Sequence, residues 1–344
     1  MESIEQTFNG TADFGRKVTV NVSRNGDLIH KCYLRATLPA PAVATDRDAG
    51  FRDSAYISEV GHYLIKSVEV EIGGQKIDKH YGHWLSIWSD LSTPAGKKSL
   101  YDSSMVGPGG DNTAATVNVP LQFWFCRHAG LALPLIALQY HEVKFNIEFE
   151  TQANLTDDAS SNSASLSDVS MYVDYIYLDT EERRRFAQIS HEYLIEQLQF
   201  TGDETVSSNS RIKLNFNHPV KELVWVLLDS NDIAVKNTYN QYHPMTTAKL
   251  QLNGHDRFAE RARDYFRFVQ PYQHHTNIPA KEVNVYSFAL KPEEQQPSGS
   301  ANMSRIDNAT LQIAQSDAEL IKVFATNYNV LRIMSGMGGL AYSN

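Results

Sequence analysis

The 344-residue chain has two cysteines, Cys32 and Cys126, and neither lies in a CxxC pair. A disulfide scaffold is excluded, and two reduced, half-buried thiols are expected. No block of lysine and arginine runs through the chain; 31 basic against 40 acidic side chains leave a net charge of −9. That balance excludes a phosphate-tracking surface, so no direct nucleic-acid partner is expected. The longest apolar stretch, residues 130–138 (GLALPLIAL), holds a proline and is about half the length of a bilayer span. Glu2 and Glu5 flank the start, where a secretory leader would carry basic and then apolar residues, so no signal peptide is expected. Helical periodicity is scarce as well. Residues 82–91 (GHWLSIWSDL) and 259–270 (AERARDYFRFVQ) carry it, the first with Trp84, Ile87, Trp88 and Leu91 on one face.

What fills the chain instead is alternation. Residues 141–150 (HEVKFNIEFE) set Val143, Phe145, Ile147 and Phe149 against Lys144, Asn146, Glu148 and Glu150. The same two-residue period marks 17–21, 67–72, 172–178, 221–228, 248–252, 282–288 and 310–313. Such runs fit strands with one buried face. Asn25-Gly26, Gly73-Gly74 and Asn253-Gly254 are dipeptides that tolerate positive φ and close tight hairpins. Many strands with few helices point to an all-β fold built from sandwiches.

Four segments of the first half recur in the second, in order. Residues 4–10 (IEQTFNG) resemble 195–202, 68–74 resemble 248–254, 139–147 resemble 305–313, and Tyr175-Ile176-Tyr177-Leu178 resembles Tyr328-Asn329-Val330-Leu331. One pairing carries little weight in a chain so rich in strands. Collinearity carries it: the offsets fall steadily, 191, 180, 166 and 153, as two copies of one fold would give if the first had longer loops. Those loops are 39–55, 93–118 and 151–170. The reading is two tandem antiparallel jelly rolls, residues 1–180 and 191–344, joined by a charged linker at 181–190. The inner faces are expected to carry Val143, Phe145, Ile147 and Phe149 in copy one, and Val224, Val226, Leu250, Leu252, Leu311 and Ile313 in copy two.

Chemistry-bearing residues are sparse. His80 and His83 have the wrong spacing for two inward imidazoles on one strand, and His274-His275 would point to opposite faces of one, so no metal is expected. Cys126-Arg127-His128 follows an aromatic run and reads as a core edge. Glu148 and Glu150 lie on the polar side of an alternating strand rather than in a glycosidase pair. Residues 336–339 (GMGG) lack the lysine and helix of a phosphate loop. Neither a catalytic site nor a cofactor is expected. Sequons mark Asn9, Asn154 and Asn302 as glycosylation candidates; those at Asn21 and Asn308 lie within or beside strands. Asp157-Asp158 is too small a cluster for a calcium cage. Arg183-Arg184-Arg185, beside Glu181-Glu182, reads as a salt-bridged linker.

Several blocks resemble the major capsid proteins of nucleocytoplasmic large DNA viruses. They are IEQTFNG at 4–10, RNGDLIH at 24–30, GGQKIDKHYGHW at 73–84, NVYSFALKPEEQQPSGSANMSR at 284–305 with the following Ile306-Asp307-Asn308-Ala309, and NYNVLRIMSGMGGLAY at 327–342. The resemblance spans essentially the whole chain. It implies a double jelly roll, a homotrimer of pseudo-hexagonal outline tiling an icosahedral shell, and assembly in the host cytoplasm. Neighbouring capsomers, minor capsid proteins and indirect contact with an inner membrane are the partners it implies. The family also carries a segment before the IEQ block, towards the inside of the shell, where this sequence opens with Met1-Glu2-Ser3. Two other readings fit the residues: an internal scaffold of the same lineage, and a jelly-roll carbohydrate-binding module.

Overall fold

The computed structural model describes residues 1–41, 55–107, 113–156, 164–228, 241–315 and 318–342. Nine strands form the first jelly roll: β1 Glu2–Gln6, β2 Lys17–Asn21, β3 Leu28–Leu38, β4 Ile65–Ile72, β5 Gln75–Tyr81, β6 Ala115–Pro120, β7 Leu133–Pro134, β8 Val143–Phe149 and β9 Ser167–Ile176. Eleven form the second: β10 His191–Thr205, β11 Asn209–Lys213, β12 Pro219–Leu228, β13 Met245–Leu252, β14 His255–Asp256, β15 Arg261–Ala262, β16 Asn284–Ser287, β17 Ala301–Asn302, β18 Ala309–Gln315, β19 Leu320–Met334 and β20 Met337–Leu340. Short helices occupy the connections.

The two rolls share one topology. The first has sheets ordered β1-β9-β3-β6 and β2-β8-β4-β5; the second has β10-β19-β12-β16 and β11-β18-β13-β14. Each position in one order has its counterpart in the other. The match extends to register. Ile65 pairs with Phe149 and Ile72 with Val143; at the same offsets, Met245 pairs with Gln315 and Leu252 with Ala309. Both ladders slip at the same place, between Ile65 and Ser67 and between Met245 and Thr247. A bulge is a local feature with no reason to recur by chance in unrelated strands. The backbone repeats too: φ is 58° and 83° at Gly73 and Gly74, and 51° and 79° at Asn253 and Gly254. Gly10 and Gly202, which end the first pair of matched segments, sit at 103° and 109°.

The fourth matched segment is off by one residue. Tyr175 pairs with Ile29, and the equivalent ladder pairs Asn327, not Tyr328, with Val220. The shared tyrosine suggested an offset of 153 where the ladder has 152. Side chains alternate across a sheet, so that single step exchanges the inner and outer faces.

Core positions follow the alternation in the first roll: Val143, Phe145, Ile147 and Phe149 are all buried. In the second, Leu250, Leu311 and Ile313 face the core as expected, and Leu252 packs against its margin. Strand β12 differs. Its core-facing residues are Leu223, Trp225 and Leu227, while Val224 and Val226 lie on the opposite face, also buried. A strand covered on both sides has no polar face to reveal its orientation.

Three other expectations shift. Asn25-Gly26 closes no hairpin; it is a bend between β2 and β3, which belong to different sheets. A Cβ at Gly26 would stand 2.7 Å from Cβ of Tyr175, so close approach is what calls for glycine there. The helix expected at 259–270 begins at Arg263 and runs to His274, with a π-type stretch at Tyr265–Val269, because Arg261–Ala262 is taken by pairing with β13. The charged stretch 181–190 is mostly helix, Thr180–Gln188, whose Asp179 cap accepts from the amides of Glu181 and Glu182.

Strand pairing stays within residues 2–176 or within 191–340 among the described residues. By compactness the chain divides into one unit of Met1–Ser86, Ser99–Gln197 and the segment from Asn329, and a second of Ile87–Lys98 and Leu198–Tyr328. In the first unit the C-terminal segment is held by the amide of Tyr140, which donates to Gly336 O (3.0 Å), and by the Gly338 amide on His141 Nδ1 (3.1 Å).

Candidate functional site

The histidines are structural. His80 Nε2 lies 2.9 Å from Asp78 Oδ2, both buried, and its ring stacks on Phe123 at 4.5 Å. His83 meets the Tyr63 ring edge-on at 5.2 Å. His274 and His275 lie not on a strand but at a helix end, and they part company: His274 Nδ1 contacts the carbonyl of Leu290, at 2.9 Å, while His275 is buried. Among the described residues no three His, Cys, Asp or Glu side chains are placed to hold a metal ion.

His275 anchors a buried charged network in the second unit. Nε2 is 3.0 Å from Glu222 Oε2, and Nδ1 is 2.9 Å from Glu293 Oε1. Burial alone would lower the histidine pKa, but the Glu222 and then the Glu293 carboxylate overcome it and push it up to about 9. Burial would raise Glu222; His275 and then Lys221 hold it below the ordinary carboxylate value. Thr326 Oγ1 donates to Glu222 at 3.1 Å, and Lys221 Nζ donates to the carbonyl of Pro292 at 2.7 Å. With every member held by protein groups, this network ties the chain around residues 275–293 to β12. The charged pair Lys221-Glu222 at the head of an apolar strand was the available sequence signal.

The remaining candidates are equally engaged. Cys32 and Cys126 are both free and buried, and burial, with the neighbouring Cys126, pushes the Cys32 thiol up, away from nucleophilic character. Arg127 Nη1 pairs with Glu196 at 2.8 Å, and His128 Nδ1 accepts from the amide of Gly130. Glu148 lies between Lys17 and Lys66, at 3.1 and 3.0 Å; against a burial effect that would raise it, their ammonium groups hold it low. Glu150 accepts from the Thr151 amide and from Asn154. Gly336 turns the β19–β20 hairpin at φ 79°. Arg183 makes a forked contact with Asp27, at 2.9 and 3.1 Å.

Of the sequon residues, Asn9 is exposed and bridges to Thr19 through its backbone; Asn154 is half-buried in the turn Gln152–Leu155. Asn302 is exposed, and its side chain caps the turn Met303–Arg305. Asn21 ends β2, and Asn308 accepts from Thr310. Asp157-Asp158 and parts of the three long loops lie outside the described residues. On the surface, Tyr140, Tyr272, Leu290 and Tyr342 are each more than half exposed. Sequence patterning did not single these out, since an apolar residue in a loop or on a short helix carries no period.

Comparison with known proteins agrees with the geometry. A family profile described as "Major capsid protein N-terminus" matches residues 1–179, and one described as "Large eukaryotic DNA virus major capsid protein" matches 182–339. The major capsid protein of Pyramimonas orientalis virus is 56% identical, with all of this chain and 90% of that protein covered. That of Paramecium bursaria Chlorella virus 1 is 39% identical, covering 100% and 91%. The solved structure of VP54 from PBCV-1 superposes with a TM-score of 0.88 at 38% identity, covering all of this chain and 96% of that one. The Faustovirus major capsid protein shares the fold, with a TM-score of 0.80 at 14% identity over 97% and 90% of the two chains. This chain, a double jelly roll whose sequence is matched over its whole length, belongs to the family of major capsid proteins of large eukaryotic DNA viruses.

Proposed function

We propose that the protein works by self-association alone, as a homotrimer whose six jelly rolls form a pseudo-hexagonal capsomer of an icosahedral shell, without enzymatic activity. The observation that carries this is the shared register of the two rolls, down to the slip between Ile65 and Ser67 and between Met245 and Thr247. Three chains fill a sixfold lattice position when each supplies two wedges of one shape. Heterologous contacts that close on themselves give a ring rather than a filament. Residues 1–180 and 191–344 are taken as the two wedges and 181–190 as their joint. Neighbouring capsomers and minor capsid proteins are the further partners, an inner membrane is met only indirectly, and a net charge of −9 argues against direct contact with the genome. Assembly is placed in the host cytoplasm. There Asn9, Asn154 and Asn302 stay unmodified; an intact mass equal to that of the bare chain is the expected result. Native mass measurement tests the main reading. Three chains of 38.7 kDa should travel together at micromolar concentration; a well-folded chain that remains monomeric overturns it.

A further inference from the structure

The two rolls part company at one matched corner, where a hairpin turn meets the residue before β8 or β18. In the second roll the corner closes with its own side chain. Asn253 N donates to Asn308 O (2.7 Å), and Asn253 Oδ1 accepts from Asn308 N (3.2 Å). In the first roll Gly73 N donates to Glu142 O (3.0 Å) at the matched place, but glycine has no side chain to return the bond. The His141 ring occupies that space, and a Cβ on Gly73 would overlap it. Nδ1 of the same ring lies 3.0 Å from O and 3.1 Å from N of Gly338, 197 positions further along the chain. The first roll thus finishes this corner with a segment from outside residues 1–180.

That segment, the part of the first unit that starts at Asn329, is shaped for close approach. Strands β19 and β20 turn at Ser335-Gly336, with φ of 52° and 79°, and Met334 pairs with Met337. Tyr140 N donates to Gly336 O (3.0 Å), and Leu340 N to Gln75 Oε1 (3.3 Å). A Cβ at Gly338 would stand 2.7 Å from Leu138 and 3.2 Å from Ile72, both fully buried. Backbone without a side chain is what lets the hairpin lie on them. On the same arm, Asn329 Nδ2 donates to Gln197 Oε1 (2.9 Å), and Gln197 Nε2 donates to the carbonyl of Ile77 on β5. Leu331 and Ile333 are buried as well. Contacts 197 and 265 positions apart close long loops, and pairings of such separation are slow to form.

We infer that residues 329–342 are a clasp on the first roll. The first roll is translated before the second, yet it reaches its stable fold only when this hairpin docks. A chain whose hairpin is not seated is thereby held back from self-association. The clasp stands on the contacts above; the hold on assembly rests also on the self-association reading.

Full-length variants test the clasp by hydrogen exchange, read peptide by peptide. Gly338→Val drives a side chain into Leu138 and Ile72 and should unseat the hairpin. Strands β4, β5 and β8 should then exchange at least about tenfold faster, while β13 and β18 keep the unmodified rates. Met337→Ser, at an exposed site on the same hairpin, should leave both rolls unchanged. Should the valine chain fail to fold, His141→Ala removes the ring contact without adding bulk and should give the same first-roll pattern at smaller amplitude. Faster exchange confined to residues 329–342, equal in the two rolls, or absent from both variants overturns the clasp. Native mass measurement tests the hold on assembly. A Gly338→Val chain with an open first roll should stay monomeric, and one that still forms the unmodified oligomer overturns the hold. An unmodified chain that is itself monomeric overturns the self-association reading instead, and the exchange pattern then decides the clasp by itself.

Discussion

The first jelly roll leaves the outer face of β3 open at Lys31 and Arg35, while the second buries the matching face of β12 at Glu222 and Val226. Inside the sandwiches the order is reversed: the two ladders keep one register and one bulge. The contrast separates two kinds of constraint. Register is set by strand pairing and inward packing, which any copy of the fold must satisfy. The outer faces are free of that constraint, and the two copies differ there in burial. Once the face of β12 is covered, a carboxylate on it needs partners, and His275, Thr326 and Lys221 supply them.

That contrast can be broken most sharply at Glu222. Glu222→Gln leaves the His275 cation buried beside Glu293 alone and should cost about 4 kcal/mol, read as a shift of the denaturant midpoint. Lys31→Gln, at the matched site of the first roll, should stay within about 0.5 kcal/mol. Equal effects at the two sites would contradict the account of the outer faces. The shared interior predicts the opposite pattern. Phe145→Ala and Leu311→Ala occupy one slot of the common register, both fully buried, and should cost roughly 3 kcal/mol apiece. A silent change at either would break the equivalence of the cores.

The pH dependence should be one-sided. The folded pKa of His275 is raised, so its contribution is fully present below about pH 6.5 and fades as pH climbs through about 9. Between pH 6.5 and 8 the second roll should lose roughly 2 kcal/mol. Calorimetry across that range should show the drop, and its persistence in Glu222→Gln would argue that His275 is not the source. Smallest are the turns. Gly74→Ala and Gly254→Ala should each cost about 1 kcal/mol from positive φ alone, since nothing lies within 4 Å of either added Cβ. Gly73→Ala should cost more than either, because its Cβ would strike the His141 ring. Thermal midpoints of the three variants give the ranking.

The pattern of legibility follows from the same physics. Strand β8 was readable because one face is wet: Lys144, Asn146 and Glu148 mark the outside, and Phe145 and Ile147 the inside. The turns were readable where positive φ selects glycine or asparagine, at 73–74 and 253–254. Strand β12 is not, because covering both faces erases the polar marker, and alternation alone does not tell the side of Val224 from that of Trp225. The Tyr175 and Tyr328 match failed for a related reason. Identity of one side chain outweighed parity, which is what the ladder preserves. The link from Glu222 to His275 and Glu293 joins residues 53 and 71 positions away, and charged side chains carry no period by which such a meeting can be foreseen. Phe268 and Tyr272 are exposed where Phe266 is buried, and an apolar residue that stays at the surface reads in sequence like one that enters a core.

Class averages of the purified oligomer by negative-stain electron microscopy bear most directly on the claim that one chain supplies two equivalent wedges. A closed particle with threefold symmetry and six lobes of nearly equal size is the expected result. A particle with three lobes, a twofold axis or an open chain of subunits would contradict it.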